Sequence, residues 1–264
     1  MQKDVNQQKY CDEFEKYILG QVENPKLNVF KLLQAPMGSG KTSVCVDHHI
    51  PHLMNVDKRV KITIFTAPYK SIIQQKKAAF LEAANPMKDV YFCEHPLEVL
   101  EIWEQIPKAR FILAITDSMA YIPRESKGSM DKLIALIDKE DVLDAWFKDE
   151  GHAGTVSDSP AIPLVQGNSW GKSNDTYKAT FYQRIKERAK KSPYIFGLSA
   201  TPNRQNRGEV PTLDGVMSYE VIISMPEAKD LWYRLGWLND VTYFEPRGLF
   251  SESKITLQKM IKSV

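Results

Sequence analysis

Long apolar runs are missing from this chain. None approaches the roughly 20 residues that cross a bilayer as a helix, so no membrane span and no membrane partner are expected. The N-terminal stretch MQKDVNQQKYCDEFEKY is too polar for a secretory signal. Cysteine is scarce: Cys11, Cys45 and Cys93 are far apart, odd in number and form no CxxC pair. That argues against a disulfide framework and points to reduced thiols in the cytoplasm. An excess of one charge is also lacking. The formal net charge is +2, so any nucleic-acid binding must come from local patches rather than from an overall basic field. Internal repeats and low-complexity tracts are absent. What remains is a 264-residue chain that is 43% hydrophobic, enough for a sizeable core in one large α/β domain or two small ones.

Short β-rich runs alternate with helical stretches. The strand candidates are 29–35, 60–67, 89–93, 111–116, 143–149 and 194–200, and most are near-continuously apolar, as strands covered on both faces should be. Helices are expected over 41–50, 71–84, 97–105, 129–139 and 177–191. The alternation predicts a three-layer α/β/α sandwich around a mainly parallel sheet. Two segments rich in Gly, Ser, Asn, Asp and Pro, 154–176 and 202–215, read as long loops.

The stretch LLQAPMGSGKTS, residues 32–43, has the order strand, glycine-bearing turn, helix. Gly38 and Gly40 permit backbone angles that other residues resist and let N–H groups approach a phosphate closely. The helix start adds unpaired donors and a positive dipole end. Pro36, Met37, Gly38, Ser39, Gly40, Lys41, Thr42 and Ser43 would therefore enclose the phosphates of ATP. Lys41 would reach the β and γ groups and Thr42 would hold Mg²⁺. Such a site needs an acidic partner at another strand end. AWFKDEGH supplies Asp149 for the metal and Glu150 to orient or deprotonate the attacking water.

APMGSGKT, then DEGH, then LSATP (198–202), in that order, resembles the first RecA-like motor domain of superfamily-two helicases and translocases. In that superfamily A-x-x-G-x-G-K-T is a regular form, which accounts for Ala35 where a glycine is otherwise usual. The DEGH form looks closest to motor subunits of type III and type I restriction enzymes and to related phage or bacterial helicases. TAPYKSIIQQ (66–75) looks like motif Ia and ITDSMA (115–120) like motif Ib. The resemblance implies that Pro68, Tyr69, Lys70, Ser71, Thr116 and Asp117 contact a nucleic-acid backbone, DNA rather than RNA. It also implies that His152, Ser199 and Thr201 relay between that contact and the ATP site, and that an upstream glutamine, Gln7 or Gln8, reads adenine.

The resemblance divides the chain into a RecA-like ATP-binding domain over 1–224 and a linker over 225–264, leading toward a second RecA-like domain that the remaining residues are too few to form. That second lobe, in cis or in trans, would carry the arginine fingers, so this lobe by itself is expected to bind ATP and hydrolyse it slowly. A non-motor module that binds nucleic acid or a partner and uses ATP as a ligand is the alternative. Lys148 departs from the apolar residue usual before the Asp and is expected at the rim of the strand end. HHIPH (48–52) imitates a metal cluster but is read as none, with Pro51 breaking the helix there. The basic run RIKERAKK (184–191) is read as a core-packed helix with a solvated basic face, because Tyr177, Phe181, Ile185 and Ala189 fall on one stripe.

Overall fold

The computed structural model describes residues 5–36, 38–84, 88–121, 128–149, 185, 187–200 and 218–225. Its seven strands are β1 (Val29–Gln34), β2 (Val60–Ala67), β3 (Val90–Cys93), β4 (Arg110–Thr116), β5 (Leu143–Lys148), β6 (Ile195–Ser199) and β7 (Ser218–Ser224). They form one sheet in the order β3-β4-β2-β5-β6-β1-β7, and every pairing is parallel. The helices are α1 (Val5–Glu23), α2 (Lys41–Val44), α3 (Ile50–Val56), α4 (Lys70–Ala84), α5 (Pro96–Gln105), α6 (Asp117–Tyr121) and α7 (Ser129–Lys139), with a π turn, Cys45–His49, joining α2 to α3.

The period-2 alternation of the strands builds two cores. Ile62, Ile64, Phe111, Leu113, Ile115, Trp146 and Ile195 share one face with Val99 and Trp103 of α5 and with Met130, Leu133 and Ile137 of α7. Phe65, Phe147 and Phe196 take the other face. There Phe80 of α4 lies 5.2 Å from Phe65, and Phe14 of α1 lies 5.6 Å from Phe196 and 6.3 Å from Phe147. Parallel strands need crossovers, and the crossing helices cover both faces. The result is the three-layer RecA-like arrangement.

All six expected strands begin and end within one residue of observed ones, and β7 was not foreseen. Neither was α1, whose buried Tyr10, Phe14 and Ile18 recur every fourth residue. Pro51 does not break the helix. The helix runs on to Val56 with Pro51 in the first turn of α3. Ahead of it Ile50 N–H donates to Cys45 O, five residues back. The wider π turn and the first-turn position spare the proline the clash and the lost bond it would bring to a helix interior. In the basic run, Ile185 and Ala189 pack into the core as expected, but Arg188 is no solvated cation. It is buried against Asp144.

Lys31 of β1 is fully buried, its ammonium donating to Lys26 O at 3.0 Å and Val29 O at 3.3 Å. Burial pulls its pKa down to about 8; the carboxylate of Glu220 opposes that and Lys26 adds to it. The unfolded chain binds this proton up to the ordinary value of 10.5. Charged Lys31 therefore costs stability in full below pH 8, and the cost is relieved as pH rises from 8 to 10.5. At about 1.4 kcal/mol per pKa unit, wild type should gain about 3 kcal/mol on Lys31→Met across that window. Paired urea titrations at several pH values measure it, with cysteine and tyrosine ionisation cancelling between the two proteins. A constant gap would show that Lys31 is not desolvated.

Candidate nucleotide site and its neighbouring loops

The site grows from the carboxyl edge of the sheet, where β1 and β6 lie side by side. Ala35 N–H donates to Ser199 O at 3.1 Å, holding the start of the loop against the end of β6. Ala35 is fully buried. The chain then turns with Gly38 at φ 77° and Gly40 at φ 78°, both in the left-handed region where a side chain is strained. A Cβ on Gly40 would also come within 3.1 Å of Gln7 Nε2. The turn is closed by Ser39, whose N–H and hydroxyl both donate to Pro36 O, at 3.3 and 2.7 Å.

Of the two glutamines left open by the sequence, Gln7 reaches this loop. It is buried and donates from Nε2 to Ser39 O at 2.8 Å, whereas Gln8 is exposed and bonds Asp12 one turn on. The packing of α1 through Phe14 is what brings Gln7 here.

Lys41 and Thr42 open α2, half-exposed at the mouth of the loop. The Thr42 hydroxyl lies 3.1 and 3.3 Å from the two carboxylate oxygens of Asp149, 107 residues away in sequence. Asp149 is almost fully buried just past the end of β5, with its N–H on Thr66 O at 2.8 Å. A hydroxyl and a carboxylate meeting in this way form a hard oxygen pair of the kind Mg²⁺ prefers, so the residues present fit the ion. Nearby, burial pushes the Cys45 thiol well up, with Asp149 and Asp47 adding to it, so this cysteine stays protonated and unreactive. Ser43 accepts a 2.6 Å bond from the Lys76 ammonium of α4, and both residues line a cavity of about 690 Å³ between α4 and the α2–α3 helix.

Tyr69, in the loop after β2, and Lys70 and Ser71, which open α4, are exposed to solvent, with Pro68 half-buried. Their side chains are open to a partner. The junction of β4 with α6 is different. Thr116 accepts Met119 N–H at 3.3 Å, a cap on α6. Asp117 is buried and bonds Lys148 Nζ through Oδ2 at 2.6 Å. Two expectations are corrected here. Asp117 is not an open nucleic-acid contact, since its carboxylate is turned inward onto a cation. Lys148 is not at the rim, since it too is buried. The signal for this pair was Lys148 itself: a charge within an apolar strand calls for a buried partner. Ser199 is fully buried at the end of β6. Met37, Glu150, His152 and Thr201 lie outside the described residues.

The histidine run divides. His49 is buried and stacks on Phe14 with ring centroids 4.0 Å apart, whereas His48 and His52 face Glu15 at 3.1 and 3.8 Å. Among the described residues no group of three His, Cys, Asp or Glu side chains is arranged to hold a metal ion, and no helix is long and apolar enough to cross a membrane.

Residues 5–204 match the family described as "Type III restriction enzyme, res subunit". No curated protein matches the chain.

Proposed function

This chain belongs to the type III restriction enzyme res subunit family, a family of helicase-like ATP-binding motor domains. From that premise we propose that it is the ATP-binding lobe of a superfamily-two nucleic-acid motor. It would couple Mg·ATP hydrolysis to movement on DNA when paired with a second RecA-like lobe. The meeting of Thr42 with Asp149 at the mouth of a glycine turn carries the reading. It supplies a phosphate cradle and two metal donors at one sheet edge.

In this reading the loop N–H groups and Lys41 hold the triphosphate, and Thr42 and Asp149 hold Mg²⁺. When bound, the ion neutralises charge building up on the transferred phosphoryl group. Glu150 orients the attacking water, and His152, Ser199 and Thr201 relay between hydrolysis and strand engagement. Pro68, Tyr69, Lys70, Ser71 and Thr116 line the strand path. Exposure of Tyr69, Lys70 and Ser71 supports them as contacts: hydroxyls, N–H groups and a lysine suit phosphates and read no bases. Glutamine 7, bonded to the phosphate loop, is the better placed of the two adenine readers. The cytoplasm is the setting in which three reduced thiols and a nucleic-acid partner belong together.

The test is ATP turnover measured with no nucleic acid, with single- and double-stranded DNA and with RNA, in the protein joined to its second lobe. Stimulation by DNA is expected. ATP binding with no stimulation by any nucleic acid would favour a non-motor binding module instead.

A further inference from the structure

The buried pair between Lys148 and Asp117 joins the last residue of β5, next to Asp149, to the first residue of α6. Strand β2 lies between β4 and β5 in the sheet. At their carboxyl ends Thr116 stands level with Ala67, and Thr66 with Lys148. Lys148 therefore reaches across the end of β2 to meet Asp117 at 2.6 Å. Their side chains are 5% and 11% exposed, so solvent screens the pair little. Alternation along β5 sets the geometry. Lys148 follows Trp146 onto the face covered by α5 and α7, and the next residue, Asp149, reaches Thr42 of α2. The second oxygen of Asp117, Oδ1, is buried and has no hydrogen-bond partner among the described residues. The pair is thus incompletely satisfied. Such pairs are poor at adding stability, and their best attested use is to fix one arrangement among several.

We propose that Lys148 and Asp117 are a positioning pair for the metal site. Their ion pair anchors the end of β5 to the end of β4 and so holds the Asp149 carboxylate against Thr42. The inference rests on the reading of Thr42 and Asp149 as Mg²⁺ donors. Partners one shell out from a metal orient its ligands, and their loss commonly weakens metal binding about 10–100-fold.

The test uses Lys148→Leu with Asp117→Asn, a double variant that leaves no unpaired charge behind, and Lys148→Arg, which keeps the pair. A fluorescent ATP analogue is titrated without metal and then with increasing Mg²⁺, and thermal melts report the fold. In the double variant, metal-free affinity and melting should stay near wild type while the Mg²⁺ needed for half-maximal binding rises about tenfold or more. Lys148→Arg should track wild type. An unchanged Mg²⁺ requirement in the double variant, beside a Mg²⁺-responsive wild type, overturns the positioning role alone. So does an equal loss with and without the ion, which marks a merely structural pair. A wild type whose nucleotide binding ignores Mg²⁺ overturns both this role and the reading it rests on.

Discussion

Lys41→Ala is expected to weaken Mg·ATP binding by at least about 100-fold. The lysine is the first residue of α2, directly after Gly40, whose left-handed backbone turns the chain into the helix. A hydrogen bond to a charged group contributes roughly 1.5–3 kcal/mol. Two such bonds from one ammonium to neighbouring phosphates amount to about 3 kcal/mol at the lower end, and each 1.4 kcal/mol is about tenfold in affinity. The glycine turn and the Thr42–Asp149 contact remain in the variant, so residual binding reports what those groups do unaided. Calorimetric titration with ATP, with circular dichroism to confirm the fold, gives the answer. Equal affinities in the two proteins would remove the phosphate cradle from the account.

Arg188→Met should have the largest effect on stability. The guanidinium donates to both oxygens of Asp144, Nε to Oδ2 at 2.9 Å and an Nη to Oδ1 at 2.8 Å, and it also bonds Asp138. Trp146 Nε1 completes the shell of Asp144 at 2.7 Å. Asp144 and Arg188 are both buried, on β5 and on the segment that leads into β6. Removing the arginine leaves a carboxylate stranded in the core, which costs about 3–5 kcal/mol. For a domain of this size that lowers the melting temperature by about 10 °C. The companion variant Asp144→Leu with Arg188→Met removes both charges and should recover most of the loss, because apolar replacements of a buried pair are often nearly neutral. Differential scanning calorimetry on the three proteins decides it. A single variant that melts with wild type would mean that water reaches Asp144.

How much of this could be seen in the sequence depends on how local each signal was. β4 and β6 announce themselves as near-continuous apolar runs because both faces of a parallel sheet are covered. β7 pairs with β1 in the described sheet, carries Glu220 and leaves Val221 42% exposed, so its pattern is diluted. α1 hides its stripe among Gln, Lys, Asp and Glu, and two of its buried residues, Gln7 and Gln21, are themselves polar. Composition pointed away from a core helix there, although the fourfold recurrence of Tyr10, Phe14 and Ile18 was available. At the site, the glycine turn and Asp149 stand out as motifs in the sequence, whereas the closeness of Thr42 to Asp149 belongs to the fold. The partner of Lys148 lies 31 residues back on another strand's end. No local pattern names such a partner, so the sequence alone reads Asp117 as open to a phosphate.

The π turn after Val44 carries a last consequence. It stores one surplus residue between the part of the helix that opens the phosphate loop and the part that packs on the sheet. One residue is about 100° of helical rotation. Lys41 and Thr42 are therefore phased independently of Leu53 and Met54. A segment transplanted from a relative with an uninterrupted helix would swing one end or the other out of place, even if every residue type were preserved.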